Sequence, residues 1–292
     1  MPEATALDPR IATGRDYGNP DPEWRGIEWR QHLHRVSLPG AEVNYAEIGE
    51  GEPIVFVHGL SGCWQNWLEN LPHFGRGHRA IALDLPGFGA SPMPSWPIEI
   101  PAYGQLLHDF CEKLGVERAT VVGNSMGGFV AVEAATATPG RFDRLVLVSS
   151  AGILNTWSPE ERATLTAWAW RRFGPYYYGG ARFIVSRPRA RRAVFGPFFR
   201  YPERLGEELL LEQILGGMQR ADGFEEALRA TLRHDVRDRL GDIDVPTLVV
   251  GGLPDRVIPV SAAISYHRRI PTPGWRSSSA PATCRNWSAP SA

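Results

Sequence analysis

The stretch "TVVGNSMGGFVAVEAA", residues 120–135, decides the fold. It passes from a run of apolar β-formers, through a serine set between glycines, into an alanine-rich segment with helical character. Gly123-Asn124-Ser125-Met126-Gly127 fits G-x-S-x-G, and it stands between a predicted strand and a predicted helix, the context that gives the pattern meaning. A serine held on so tight a strand-to-helix turn leaves no room for side chains two positions either side, and Gly123 and Gly127 relieve that clash. The turn projects the Ser125 hydroxyl from the sheet edge, while a helix starting near Met126 aims free backbone N–H groups at a developing oxyanion.

Outward from this turn, strands and helices alternate. "EVNYAEIG" alternates like a half-buried strand, whereas "PIVFVHG" and "HRAIALDLPG" are continuous apolar runs expected where both faces of a strand are covered. "WQNWLENLPHF" has helical spacing, and "YGQLLHDFCEKLG" is an amphipathic helix closed by glycine. "DRLVLVSSAG" continues the series. Apolar strands alternating with helices predict an α/β protein with a mostly parallel, twisted sheet wrapped on both faces.

Between about 153 and 235 the buried-strand signal stops, and helical segments rich in Trp, Tyr, Phe and Arg take its place. "DVPTLVVGGLPDRVIP" then restores it. A helical insertion in such a series predicts a lid over the carboxyl ends of the strands, where ligands bind. The expected division is an irregular extension over 1–30, a core over 31–152, a lid over 153–235, a second core segment over 236–270 and an aberrant, disordered tail over 271–292.

Composition excludes several classes. The chain has 292 residues, 43% hydrophobic, with a formal net charge of -1, which suggests no nucleic acid partner. The arginines of 182–192 form the one local excess of charge, expected on a solvated face or a lid surface. Lys113 is the single lysine, as in a GC-rich, bacterial coding sequence. Three scattered cysteines, Cys63, Cys111 and Cys284, show neither metal-ligand spacing nor a disulfide framework, which fits a reducing cytoplasm. No apolar leader or 18-residue apolar run occurs, so neither secretion nor membrane spanning is expected. No phosphate loop, dinucleotide fingerprint or metal spacing appears, so no cofactor is implied.

Taken together these motifs resemble the α/β-hydrolase superfamily over about residues 40–270. "HGLSG", His58 to Gly62, is similar to the family's His-Gly loop, and the resemblance implies Leu60 N–H as an oxyanion donor beside Met126 N–H. His58 is expected to be a structural turn residue. "DLPGFGASPMP" is similar to the family's D-x-x-G-x-G-x-S segment, which makes Asp84 structural. "GGLPDRVIP" resembles the loop that presents the triad acid, with Asp255 in that place, 130 residues beyond the serine in the family order of serine, acid, histidine. Asp244 precedes its strand and so falls at the other end of the sheet.

The base is the difficulty. A serine hydroxyl is a weak nucleophile at neutral pH until a base takes its proton. After Asp255 the one histidine is His267, on a predicted helix too close behind the acid to have crossed another strand. His234 precedes the acid. The family would show a strand and then Gly-His some 25 to 30 residues past the acid, where this chain has "PTPGWRSSSAPATCRNWSAPSA". Starting instead at the third base of each codon, with GC-rich synonyms, residues 271–290 permit D-A-R-L-E-V-L-L-G-T-G-H-V-P-Q-L-E-R-P. That string holds a short strand, a Gly-His and an ending that resembles the family's, with the histidine codon straddling Ala282 and Thr283. A shifted frame near "RRIPTPG" accounts for the tail, and the last strand and helix of the sheet are expected to be missing.

A serine nucleophile argues against the branches of the fold that use aspartate there. The expected function is a carboxylesterase-like serine hydrolase with an acyl-enzyme mechanism, impaired by loss of the histidine. "GNSMGG" also looks like hydrolases that cleave carbon–carbon bonds in aromatic ring-fission products, for which Arg187 is a candidate lid arginine. The substrate is then a small apolar ester or a dienoate, and Trp157, Trp168, Trp170, Tyr176, Tyr177 and Phe183 are candidate apolar lid contacts. Perhydrolysis on the same triad would need the same histidine. A non-catalytic remnant that binds a small apolar ligand is the rival class, and the sequence sets no oligomeric state.

Overall fold

The computed structural model describes residues 22–151, 180–196, 201–217, 220–252, 255, 257–271 and 273–278. Eight strands form one sheet: β1 (Leu33–Leu38), β2 (Ala41–Ile48), β3 (Glu52–Val57), β4 (His78–Leu83), β5 (Ala119–Asn124), β6 (Phe142–Val148), β7 (Thr247–Gly252) and β8 (Pro273–Ser278). Their spatial order is β1-β2-β4-β3-β5-β6-β7-β8. β1 and β2 are antiparallel to their neighbours, and every pair from β4 to β8 is parallel. The strand pattern divides each strand between two cores, as a period of two requires. Val55 and Val57 of β3 and Ile81 and Leu83 of β4 join one cluster, whereas Ile54 and Phe56, with Ala80 and Ala82, join the other.

Helices cover the sheet. The described ones are α1 (Leu71–Gly75), α2 (Ile100–Lys113), α3 (Met126–Ala137), α4 (Pro188–Phe195), α5 (Glu207–Gly216), α6 (Phe224–Arg233) and α7 (Val260–Arg269). α3 is buried from Met126 to Ala135, all but its last two residues, which suits the helix that follows the central strand and is enclosed on all sides. Close packing on α2 depends on a missing side chain: a Cβ on Gly104 would stand 3.0 Å from the Glu133 Cβ.

Residues 149–246 intervene between β6 and β7, and their described part contains helices and no strand. α5 and α6 press on the loops at the carboxyl ends of the strands. Gly223 N–H donates to the Gly87 carbonyl at 2.9 Å, tying the start of α6 to the loop after β4. Of the aromatic residues expected to line a lid, Trp157, Trp168, Trp170, Tyr176 and Tyr177 lie outside the described residues. Phe183 is 59% exposed and carries the Arg187 guanidinium over its ring at 3.8 Å.

Two expectations change. The part of the expected irregular extension (1–30) that is described, residues 22–30, is ordered: Glu23–Gly26 and Trp29–His32 form short 3-10 turns, Trp24 is buried, and Trp29 Nε1 donates to the Trp24 carbonyl at 2.9 Å. The sheet also keeps its last strand, since Pro273–Ser278 pairs in parallel with β7 from Thr247 to Gly252. Pairing at an edge uses backbone groups alone, so it does not need the apolar periodicity that the tail lacks, and a proline is tolerated as the first residue of such a strand. Residues 279–292, where the family's final helix, expected to be missing here, and the out-of-frame histidine codon would fall, lie outside the described residues.

Candidate active site

The chain runs from β3 to β4 on one side of β3 and reaches β5 on the other, so the topological switch lies between β3 and β5. In an open α/β sheet that crevice, outside the carboxyl ends, is where ligands bind. Three non-glycine residues among those described have positive φ: Ser61 at 57°, Ser125 at 53° and Ser149 at 43°. One follows each of three adjacent strands, β3, β5 and β6. Such conformations each cost on the order of 1–3 kcal/mol and persist where surrounding structure enforces them, typically at functional sites.

The enforcement at Ser125 is steric. A Cβ on Gly123 would stand 2.4 Å from the Gly127 carbonyl oxygen, and one on Gly127 would stand 2.2 Å from the Val57 carbonyl oxygen. Ser125 is thereby squeezed into φ 53°, ψ -116° as the cap of α3. Its carbonyl accepts Gly128 N–H at 3.1 Å and Phe129 N–H at 3.4 Å, which leaves Met126 N–H ahead of the helix ladder. The elbow is also stitched sideways. Ser125 N–H donates to Val148 at 3.0 Å, and Ala151 N–H donates to the Ser125 carbonyl at 3.0 Å.

The His-Gly loop packs directly on this turn. A Cβ on Gly59 would stand 3.0 Å from the Ser125 Cβ, and Leu60 is the next residue. Residues 59–62 form a turn closed by Gly62 N–H on the Gly59 carbonyl at 3.0 Å, with Ser61 in the left-handed region. His58 is fully buried and both ring nitrogens are engaged: Nδ1 donates to the Gly59 carbonyl at 2.7 Å and Nε2 accepts Leu85 N–H at 2.9 Å. Burial lowers its pKa to about 4. A neutral imidazole with both nitrogens on backbone has no capacity left for a serine proton.

Asp84 is the other buried anchor. Its Oδ1 accepts Trp64 N–H at 2.7 Å, and its Oδ2 accepts Asn44 Nδ2 at 2.8 Å and Ala90 N–H at 2.9 Å. It therefore clamps the far end of the His-Gly loop to β2 and to the loop after β4. Burial raises its pKa to about 6 against the pull of those three donors.

Asp255 follows β7, two strands from Ser125. Its Oδ1 accepts Val257 N–H at 2.8 Å and Ile258 N–H at 2.9 Å. Burial raises its pKa, opposed by these two donors and by the Ser149 side chain. Ser149 stands between the two ends: its N–H donates to Val250 of β7 at 2.7 Å, and the β6 segment it belongs to carries the bonds to Ser125. Ser149 is the residue that sequence reasoning missed. The signal was present in "VLVSSAG", a serine pair ending a buried strand beside the elbow strand.

Other expected candidates fall elsewhere. His234 Nε2 bonds Glu133 Oε1 at 2.7 Å, and Arg239 bonds the same carboxylate, so His234 belongs to a structural cluster. His267 lies on α7. Asp244 precedes β7, at the opposite end of the sheet from Asp255. Among the described residues no group of three or more His, Cys, Asp or Glu side chains could hold a metal ion, and no helix is long and apolar enough to cross a membrane.

A doubly covered, mostly parallel sheet with a strained serine elbow at its switch point defines the alpha/beta hydrolase class. The family model for the alpha/beta hydrolase fold matches residues 52–180. The chain is 30% identical over 254 residues to a 2-hydroxy-6-oxo-2,4-heptadienoate hydrolase of Pseudomonas putida, a match covering 80% of this chain and 83% of that protein. It is also 30% identical over 241 residues to the dihydrolipoyllysine-residue acetyltransferase component of an acetoin cleaving system, again from Pseudomonas putida. That match covers 78% of this chain and spans 59% of the relative's length. A solved thermophilic esterase from Thermogutta terrifontis superposes with a TM-score of 0.68 at 25% identity, covering 86% and 92% of the two chains. The chain belongs to the α/β-hydrolase family and is a hydrolase by descent.

Proposed function

We propose that this chain descends from a serine hydrolase that worked through an acyl-enzyme. Ser125 is the nucleophile, Asp255 the acid of its triad, and the N–H groups of Leu60 and Met126 the donors that receive the oxyanion. The observation that carries this is the backbone of Ser125, held at φ 53° by glycine contacts that no side chain could survive. Strain of that kind is maintained against folding stability only where something requires the hydroxyl to stand clear of the sheet.

The base belongs in the loop after β8. β7 and β8 run parallel as neighbours, so the loops that follow them leave the sheet at the same end. Asp255 sits just past β7, and the out-of-frame histidine codon sits at Ala282 and Thr283, just past Ser278. A restored frame would bring an imidazole beside the carboxylate. In the chain as written, Ser125 lacks a general base, and turnover is reduced by roughly the thousands-fold or more that loss of a triad member costs. The nucleotide sequence across codons 268–275 tests the frame directly.

The substrate proposed is a small, apolar, ester-like molecule in the cytoplasm of a bacterium, under a lid formed by part of residues 153–235. Carbon–carbon cleavage of a dienoate is the second reading, favoured by Asn124 in "GNSMGG" and by a relative whose name states that activity. A frame-corrected chain assayed on a short acyl ester and on a dienoate ring-fission product separates the two. Hydrolysis of one of them, abolished by Ser125→Ala, supports the assignment. A frame-corrected chain inert toward both would overturn it.

A further inference from the structure

The two oxygens of Asp255 are treated very differently. Oδ1 is held by the N–H groups of Val257 and Ile258 at 2.8 and 2.9 Å, which fixes the carboxylate in one orientation. Oδ2 is shielded from solvent and has no hydrogen-bond partner among the described residues. The Ser149 hydroxyl lies near enough to favour the anion, yet does not reach bonding geometry on Oδ2. A buried carboxylate oxygen without a donor costs about 1–3 kcal/mol or more, and folded proteins rarely leave one so without a role.

The missing donor can be described from its neighbours. It must carry an N–H for Oδ2, and to be of use to Ser125 it must carry a bare basic nitrogen on its far side. Neutral imidazole is the smallest common group with both, one N–H and one lone pair across a five-membered ring. The chain's own histidines are committed elsewhere. His58 has both nitrogens on backbone, His234 is held by Glu133, and His267, the one histidine after the acid, belongs to α7.

We propose that the acid site at Asp255 takes a free imidazole, or another small neutral azole with one N–H and one bare ring nitrogen, and that this azole serves Ser125 as its general base. This rests on the assignment of Ser125 and Asp255 above. The azole donates its N–H to Oδ2. Its bare nitrogen takes the Ser125 hydroxyl proton as Oγ bonds the acyl carbon of an ester. The azolium returns that proton to the departing alkoxide as the ester C–O bond breaks. A water then loses a proton to the azole as its oxygen bonds the acyl carbon, and that proton goes back to Oγ as the acyl-serine bond breaks. Ester and water become acid and alcohol, and the azole is regenerated unchanged.

The test uses the 292-residue chain and a short alkyl ester, with acid release followed by titration and the acyl-enzyme followed by intact mass. Rates measured with Ser125→Ala are subtracted, because imidazole attacks esters in solution. We expect imidazole to raise the Ser125-dependent rate roughly ten- to a hundredfold, below the full range of a positioned internal base because the azole must first bind, and to do so with saturation. 1-Methylimidazole keeps the basic nitrogen but has no N–H for Oδ2, so it gives no saturable rate, and Asp255→Asn removes the saturation by imidazole. A response that is linear, equal for both azoles, or unchanged in Asp255→Asn overturns the proposal. The frame-corrected chain separates the two failures. If it hydrolyses the ester through Ser125 without added azole while the present chain ignores imidazole, the azole site is wrong and the assignment of Ser125 stands. If it is inert as well, the assignment fails and takes the azole site with it.

Discussion

The ring of His58 accepts the backbone N–H of Leu85 at 2.9 Å, the residue directly after Asp84. Two buried titratable groups thus brace the same loop pair, and burial shifts them oppositely, His58 down to about 4 and Asp84 up to about 6. The folded chain holds the Asp84 proton more tightly than the unfolded chain, so this group makes stability fall as pH rises from about 4 to 6. It holds the His58 proton less tightly, so that group makes stability rise from about pH 4 to 6.5. Each effect is on the order of 3 kcal/mol at about 1.4 kcal/mol per pKa unit, and in the intact protein they oppose one another. Asp84→Asn is expected to unmask His58, giving a urea midpoint that climbs more steeply between pH 4.5 and 6.5 than in the parent. An unchanged slope would show that the two groups do not titrate as their burial requires.

The elbow makes a sharper prediction. A Cβ at Gly127 would meet the Val57 carbonyl oxygen at 2.2 Å and the His58 carbonyl oxygen at 2.5 Å, and backbone on both sides leaves nothing free to move aside. Gly127→Ala should therefore cost at least about 1–3 kcal/mol, the usual range for overpacking a tight core. Gly115→Ala is the control for the left-handed penalty alone, because Gly115 has φ 64° and open space around its Cβ position. Denaturant unfolding of the two variants should rank Gly127→Ala as the more damaging. Equal losses would mean that the elbow is looser than its contacts imply.

Much of this was legible in the sequence because backbone geometry imposes it. The glycines at 123 and 127 announce a turn with no room for side chains, and the apolar runs of β3, β4 and β5 announce strands covered on both faces. The anchoring role of Asp84 was legible because its segment resembles the family's, and Asp255 was singled out on the same ground, although nothing in the sequence tells that one of its oxygens has no hydrogen-bond partner among the described residues. Ser149 was missed because its role comes from the order of β5, β6 and β7 in space, which a linear reading does not carry. β8 was missed because an edge strand can be held by backbone bonds to β7, and "PGWRSS" has no apolar periodicity to betray it.

The end of α5 sets the shape of the loop that carries Leu60. A Cβ on Gly217 would stand 2.7 Å from the Ser61 carbonyl oxygen and 3.2 Å from Cys63 Sγ, and one on Gly216 would stand 2.5 Å from Gln65 Nε2. The end of α5 therefore bears on the His-Gly loop and the turn after it through two positions that have no side chain. Cys63 is a free, fully buried thiol whose pKa burial pushes well up, which makes it slow to alkylate while the contact holds. Gly217→Ala should push the loop away and raise the rate of Cys63 modification by a water-soluble disulfide reagent, with Cys111 and Cys284 replaced by Ala to isolate the signal. A rate equal to that of the parent would show that α5 and the loop move independently.

Glu133 on α3 is 2% exposed and is bonded by His234 and by Arg239, both from the segment between α6 and β7. Burial alone would raise its pKa, but the His234 bond and the charges of His234 and Arg239 outweigh it and hold the carboxyl below its ordinary value. The partners are more open, with side chains 26% and 41% exposed, so each can be hydrated if the carboxylate is removed. The cost of breaking the cluster is therefore lopsided. Glu133→Gln should cost about 1 kcal/mol, close to one ordinary hydrogen bond. His234→Ala with Arg239→Ala should cost about 3–5 kcal/mol at neutral pH, because it strands a buried charge. The sign with pH follows: in the parent this carboxylate stabilises the fold above its unfolded pKa, a benefit lost as pH falls through the lower folded value. In the double variant the folded pKa is raised instead, so most of the deficit should vanish by pH 4, where Glu133 can take a proton. Urea unfolding of all three proteins at pH 7 and pH 4 measures this, and a double variant equally weakened at both values would mean that lost packing around Phe129 and His234, not the stranded charge, sets the cost.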